Sequence, residues 1–581
     1  MHQRTTILLW LVLGLGVLGF IRTQPTQLYS PDYPAFEDAP GSFLVTDPIT
    51  SRPPNFTGFL PKFYPNLDNR FCDRGFAVDV ADEIRPPAHG EGVYIVPDPQ
   101  TILDAYRTEN GLPLISCANG YVNPACSLSC MHPQCEPDQG YWSSAVLDSI
   151  ASPQYKYILF PPMDYNCLGP LPLPTGNNNG QRKVIRPIYD NSCPTLSPYS
   201  TEHPYTMQNA QLCVAPPHLR GISLLGASNW TIAFMRIGGI EDDPLVCNFP
   251  AMRIAGNNNL GGSNCNVIHK CLFQHMKLGI QLGNSNYNTV QYCVFKDGFQ
   301  EPGSDSGGLV IEGNTLGAKR NVVVGNEFIN MNNGIGLPYS KLLPDQQQEI
   351  PGTVIANNDI YWTPETTTTC DKDFGGCIGA ITYKCSNSET GIDIKNGTSS
   401  TNPGNRILVL GNRIYGYRPS NPAGAGTGGA GEAILVHNNA RNIFIKDNIL
   451  FNNTHGIRVF PWKNEGKTRR IVIINNLIAA SRPLRKDLLP VISGSAIRGA
   501  AHDTLIIAYN TTFSNGRSLS LDEKGTYLLK CNTFFYQKNN CNFEPDITAA
   551  DCCQEPNKNI DSAFQHSLAY LNTWTMPLEE I

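Results

Sequence analysis

Val354-Ile355-Ala356-Asn357-Asn358, Leu408-Val409-Leu410-Gly411-Asn412, Phe444-Ile445-Lys446-Asp447-Asn448 and Val472-Ile473-Ile474-Asn475-Asn476 are four copies of one phrase, an apolar strand ending in asparagine. Outward from them the phrase recurs at Val322-Val323-Val324-Gly325-Asn326 and ends twice more at Asn510 and Asn532. In Val267-Ile268-His269-Lys270-Cys271 and Val290-Gln291-Tyr292-Cys293 a cysteine holds the same place. Successive copies lie 22, 33, 32, 54, 36, 28, 34 and 22 residues apart. A constant phrase with variable spacers describes one rung carrying loops of different length. Asparagine tolerates the left-handed region, so it is expected to turn the chain sharply between strands. Stacked at the ~4.8 Å separation of paired strands, its amides can bond to one another and to buried backbone.

A second phrase follows most copies: Gly279-Ile280-Gln281-Leu282, Gly308-Leu309-Val310-Ile311, Gly334-Ile335-Gly336-Leu337, Ala433-Ile434-Leu435-Val436, Gly456-Ile457-Arg458-Val459 and Ala496-Ile497-Arg498-Gly499. Alternation of period two buries one column and exposes the next. Two or three such strands per turn, each paired in parallel with the next rung, give an all-β, right-handed parallel β-helix solenoid. Before it, Trp142–Ile150 reads as a short helix followed by the strand Tyr157-Ile158-Leu159-Phe160, then Pro161-Pro162-Met163-Asp164-Tyr165. With Gly221-Ile222-Ser223-Leu224-Leu225-Gly226 and Asn229-Trp230-Thr231-Ile232, this opening resembles the pectin-lyase-like superfamily of parallel β-helices, over roughly Trp142 to Gln537. Met163 stands where that superfamily usually has glycine. The resemblance implies a fold and leaves the chemistry open.

The chain has 581 residues, a net charge of −6 and 16% charged residues, which argues against nucleic acid as partner. Arg4 precedes an apolar run from Ile7 to Ile21, the form of a secretory signal and short for a spanning helix. Residues 1–23 are read as a signal peptide or a retained signal-anchor, so the chain is expected outside the cell, touching a membrane only through an uncleaved leader. Nineteen cysteines fit an oxidising compartment. The clusters Cys117, Cys126, Cys130, Cys135 and Cys370, Cys377, Cys385 lack paired Cys-x-x-Cys hairpins, which favours disulfides over zinc. Sequons at Asn55, Asn229, Asn396 and Asn452 are glycosylation candidates, whereas the sequon at Asn510 occupies a ladder position and is expected to stay bare. Residues 24–140 form a Pro- and Cys-rich irregular N-terminal region, 141–540 the β-helix, and 541–581 a capping tail with Cys552-Cys553. Tyr339–Pro351, Trp362–Pro403 and Arg418–Gly431 are long spacers of the kind that wall a groove.

Candidate chemistry gathers on three consecutive rungs, with Glu432 and His437 on the first, His455 and Arg458 on the second, and Arg498 on the third. Register puts Arg458 and Arg498 in one outward column ~5 Å apart, where two guanidinium groups repel unless an anion lies across them. Counting these two, nine basic residues from Arg458 to Arg498, including Lys463, face only Glu465 and Asp487, a band suited to steering a polyanion. A lyase would use Arg458, Arg498 and Lys463 to bind a uronate and His437 or His455 to remove the adjacent proton. A glycoside hydrolase would use Glu432, for which no second carboxyl group presents itself. The expected partner is thus an anionic polysaccharide, and the alternative is a non-catalytic structural or adhesive surface, wall or coat protein that binds glycan. Asp242-Asp243, Asp305, Asp371 and Asp373 are acidic loop positions of the sort Ca²⁺ uses, but none has a known calcium-loop spacing, and no metal ligand is assigned. The polygalacturonase-like motif set and the Asp-Pro-His-Asp signature of alginate epimerases are absent; Thr454-His455-Gly456 echoes only part of the former.

Overall fold

The computed structural model describes residues 92–117, 140–176, 178–188, 216–239, 245–256, 262–300, 307–313, 317–338, 349–362, 372–376, 379–385, 389–400, 402–417, 431–438, 440–460, 468–479, 481, 494–500, 503–513, 517–521, 527–530, 532–535 and 541–542. The leader, the three sequence-predicted groups Cys126/Cys130/Cys135, Cys370/Cys377 and Cys552-Cys553, and most of the capping tail lie outside the described residues. No described helix is long and apolar enough to cross a membrane.

The chain coils as a right-handed parallel β-helix. One face is a 13-stranded sheet running from Val93–Ile95 through Tyr157–Phe160 and on to Tyr527–Lys530. Two further parallel ladders form the other faces: short strands such as Asp359–Tyr361, Arg413–Tyr415 and Ile449–Phe451, and longer ones such as Thr390–Ile394, Glu432–His437 and His455–Phe460. They merge where Leu272–Gly283 runs unbroken through the corner. The solenoid therefore has three strands per turn. Its interior is a stack of like on like, as in Phe273, Phe295 and Phe328, whose parallel rings lie 4.7 and 4.5 Å apart, about one rung.

The ladder is present, and the turn beside it differs from expectation. Asn326, Asn358, Asn412, Asn448, Asn476, Asn510 and Asn532 stack in one buried column. Each side-chain oxygen accepts the backbone N–H of the preceding rung's ladder residue, as Asn412 Oδ1 does from Asn358 N at 3.0 Å. Each Nδ2 donates to a carbonyl one rung back, as Asn412 does to Ile355 at 3.0 Å. The left-handed residue is the one before the ladder asparagine: Asn357 at φ 53°, Gly411 at 60°, Asp447 at 58°, Asn475 at 55°. The ladder residue keeps ordinary backbone because its amide must point inward to reach two rungs. Cys271 and Cys293 play the same part with sulfur, since Cys271 N–H donates to Cys293 Sγ at 3.4 Å and Cys293 N–H to Asn326 Oδ1 at 2.9 Å. A second ladder, Asn266, Asn288 and Asn321, secures another corner by the same bonds.

The glycine or alanine opening the second phrase follows from a tight corner. A Cβ on Gly391 would meet Ile414 Cγ2 at 2.4 Å, and one on Gly456 would meet Ala496 O at 2.4 Å. Upstream, helix α1 (Pro99–Glu109) starts at Asp98, whose carboxylate accepts from Thr101 N and Oγ1. Helix α2 (Ser144–Ala151) buries Val146 and Ile150, and a Cys117–Cys167 disulfide ties the segment after α1 to the first turns. The first strand, Val93–Ile95, pairs with Tyr157–Leu159, so residues 93–95 already belong to the coil. The 54-residue spacing before Asn412 contains an antiparallel hairpin, Lys372–Gly376 with Gly379–Cys385. It also contains a rung strand, Thr390–Ile394, within what the sequence reads as a spacer.

Replacing Asn412 by alanine leaves the Asn358 N–H and the Ile355 carbonyl buried without their partner, a loss on the order of 3 kcal/mol. A lowered urea midpoint for N412A, with C293N within about 1 kcal/mol of the parent, is the expected result; equal midpoints for N412A and the parent would contradict the ladder's role.

Candidate functional site

The register of the longer-stranded ladder decides which side chains meet on this flank. Asp393, Leu435, Arg458 and Arg498 follow one another in a column, rung by rung. Glu432 and His455 pair in a second column, and His437 pairs with Phe460 in a third. Inward neighbours Ile434, Val436, Ile457 and Val459 are fully buried, so alternation turns Asp393, His437, Arg458, Phe460 and Arg498 to the outer face, while Glu432 and His455 at the strand starts are themselves buried.

Two ionic groups occupy this face. Lys395 Nζ lies 2.8 Å from Asp393 Oδ2, and Asp393 Oδ1 lies 2.8 Å from His437 Nε2. Burial alone would raise the Asp393 pKa, but the Lys395 ammonium and then His437 outweigh it and hold the carboxyl at about 2. The fixed carboxylate selects the form of His437 in which Nε2 carries a proton toward Asp393, with Nδ1 as the other ring nitrogen. In the second group Arg458 Nη1 donates to Glu432 Oε1 at 2.7 Å, and Glu432 is fully buried. Phe460 joins the two groups: the His437 ring stacks on it at 5.5 Å and 9°, and the Arg458 guanidinium sits 4.1 Å from its centroid.

The structure thus brings Glu432, His437, His455, Arg458 and Arg498 onto one flank. Lys463 lies outside the described residues, as do Asp242, Asp243, Asp305 and Asp371 and the side chain of Asp373. The anion expected across Arg458 is in part internal, supplied by Glu432. His455 differs from the free histidine expected as a base. Its Nδ1 accepts the Ser495 backbone N–H at 3.2 Å, and burial, then the Arg458 and Arg498 charges, push its pKa down to about 3. It is a neutral, hydrogen-bonded wall residue at ordinary pH. Asp393, Lys395 and Phe460 escaped the sequence reading, although Gly391-Ile392-Asp393-Ile394 repeats the second phrase inside the long spacer. Among the described residues no group of three His, Cys, Asp or Glu side chains is placed to hold a metal ion.

Of the sequons, Asn452 is exposed in a turn at φ 57°, and Asn229 is partly exposed at φ 64°. Asn396 is nearly buried, its Oδ1 accepting the Gly397 N–H at 2.7 Å. Asn510 is fully buried in the ladder, and Asn55 lies outside the described residues.

No family model matches the chain, and no curated protein matches it. Solved structures similar to it include PfbA, a surface adhesin of Streptococcus pneumoniae, at 13% identity and TM-score 0.45, covering 70% of this chain and 90% of that one. The A-module of the Azotobacter vinelandii mannuronan C-5 epimerase AlgE4 is similar at 12% identity and TM-score 0.41, covering 69% and 92%. The tailspike protein of Escherichia coli bacteriophage HK620, solved with a hexasaccharide, is similar at 10% identity and TM-score 0.35, covering 69% and 60%.

The His455 shift has a definite sign. Its folded pKa lies below the unfolded value of 6.5, so the stability it contributes is present above that value and is lost as pH falls toward about 3. At pH 4.5 this loss is roughly 2–3 kcal/mol. His455→Gln, which cannot charge, is expected to lose less stability than the parent between pH 7 and 4.5 in urea unfolding; equal losses would contradict the assignment.

Proposed function

We propose that this chain is an exported glycoprotein that binds an anionic polysaccharide along the Asp393–Arg498 flank and removes the proton beside a uronate carboxylate, as a polysaccharide lyase does. The observation carrying this reading is the Lys395–Asp393–His437 relay held against Arg458 through Phe460. Such a reaction needs a base of fixed tautomer next to cations that stabilise charge growing on the substrate carboxylate. Asp393 stays ionised and orients His437 by accepting from Nε2–H, which makes Nδ1, a buried atom beneath the flank, the nitrogen this reading assigns to the proton. Arg498, the exposed member of the column, meets the carboxylate first, and Arg458 stands one rung behind it. Arginine suits a planar carboxylate better than lysine does.

Glycoside hydrolysis fits less well. It needs a protonated carboxyl group as acid, whereas Asp393 is held at about 2 and Glu432 is buried against Arg458. One observation favours the non-catalytic reading: Arg458 and Asp393 already have ionic partners within the protein, as they would in a rigid surface that only binds.

A panel of uronate-containing and sulfated glycans distinguishes these readings. Chain shortening with a rising unsaturated-uronide absorbance is expected, at least about 100-fold weaker in His437→Gln, in the range typical of a lost general base. Arg498→Ala is expected to raise KM, and His455→Gln to keep its activity near neutral pH. Tight binding without turnover would favour the adhesive reading, and an active His437→Gln beside an inactive His455→Gln would overturn the assignment of the base. For export, expression through a eukaryotic secretory route is expected to give glycopeptides at Asn452 and none at Asn510; a glycan on Asn510 would contradict the ladder register.

A further inference from the structure

Away from this flank, Lys446, Asp447 and Asn475 meet at a corner of the 13-stranded sheet. Lys446 ends the strand Arg441–Lys446, Asp447 is the left-handed turn residue after it, and Asn475 is the turn residue of the next rung. Asp447 Oδ1 accepts from Asn475 Nδ2 at 2.5 Å, and Oδ2 lies 3.5 Å from Lys446 Nζ. The carboxyl group is therefore a bridge between an amine and a carboxamide. Its surroundings are unusual for a solvated ion pair, for the Asp447 side chain is only 3% exposed. In the sheet, Lys446 pairs with Leu410 on one side and Ile474 on the other, both buried in an apolar cluster with Phe444 and Ala508. Burial raises the Asp447 pKa, and Lys446 and the Asn475 hydrogen bond only partly offset this. A carboxyl group poised to hold a proton between an amine and an amide can move protons between them.

We propose that Lys446 and Asn475 become joined by an intramolecular isopeptide bond, with Asp447 carrying the proton. The Lys446 ammonium gives a proton to the Asp447 carboxylate, and the free amine attacks Asn475 Cγ after the amide turns its oxygen toward the new acid. The Asp447 proton then passes to Nδ2 and the Cγ–Nδ2 bond breaks; the lysine nitrogen sheds a second proton, with which ammonia leaves as an ammonium ion, and keeps its third as the N–H of the new amide. One C–N bond forms and one breaks; no oxidant, reductant or further reactant is needed. The product ties two rungs covalently beside the Asn448–Asn476 step of the ladder, where Asn448 Nδ2 donates to Asn476 Oδ1 at 2.9 Å. Enclosure by neighbouring groups gives such a reaction the advantage of proximity over the same groups in water.

Peptide mapping of the folded full-length chain tests this directly. The expected result is a branched peptide joining Lys446 to Asn475, lighter by one ammonia than its two parts, with trypsin failing to cut after Lys446. Lys446→Arg and Asp447→Asn are each expected to yield the two segments separately and at full mass, and the parent to melt at a higher temperature than Lys446→Arg. Recovery of unmodified Lys446 and Asn475 in separate peptides from the folded parent would overturn the proposal. So would ammonia loss mapped to any other residue. Because the parent's own map decides the matter, a variant that fails to fold leaves the conclusion standing on that map.

Discussion

A coil of parallel strands must break its sheet at each corner, and every corner leaves backbone N–H and carbonyl groups buried with no strand to meet them. The asparagine column answers that constraint. One amide satisfies the N–H of the rung before and a carbonyl deeper in the coil, and it repeats from Asn326 to Asn532 with bonds near 3.0 Å, as at Asn358 and Asn510. Unsatisfied groups of this kind cost about 1–3 kcal/mol each, so the seven stacked amides outweigh any single surface interaction among the described residues. The bonds also lock register. A slip of one residue would send every inward isoleucine to solvent and break every step of the column at once.

Register carried rung by rung is what makes a functional flank. The distance between like positions is set by the sheet and not by the side chains, so charged groups are held about 5 Å apart whether or not they attract. Here the consequence is mutual pairing: Lys395 with Asp393, Asp393 with His437, Glu432 with Arg458. The pairs fix tautomer and orientation, and Phe460 couples one to the other by stacking. Burial of His455 in the same face, beside the Arg458 and Arg498 charges, has the opposite effect and removes its basicity, whereas His437 has a carboxylate partner in Asp393.

The repeating phrase made the coil legible, because period and capping residue are local properties of a strand. It also placed Glu432, His437, His455, Arg458 and Arg498 on one flank, since register is additive along the repeat. What the phrase did not reveal has physical causes. The left-handed turn belongs to Asn357, Gly411 and Asp447, because the ladder amide is committed inward. Asp393 and Lys395 were hidden in a spacer where a hairpin interrupts the rung spacing. The difference between His437 and His455 depends on burial and on neighbours 30 to 45 positions distant in sequence, such as Asp393, at 44, and Ser495, at 40. No local pattern encodes those.

The claim at the centre of this account is that Asp393 holds His437 as the base of the flank. Long-range ¹H–¹⁵N correlation on histidine-labelled protein reads that state directly, with the resonance assigned by its loss in His437→Gln. The account expects Nε2 to carry the proton that faces Asp393, with the signal changing when a uronate oligosaccharide is added. A ring protonated at Nδ1, or one indifferent to every anionic glycan, would contradict it.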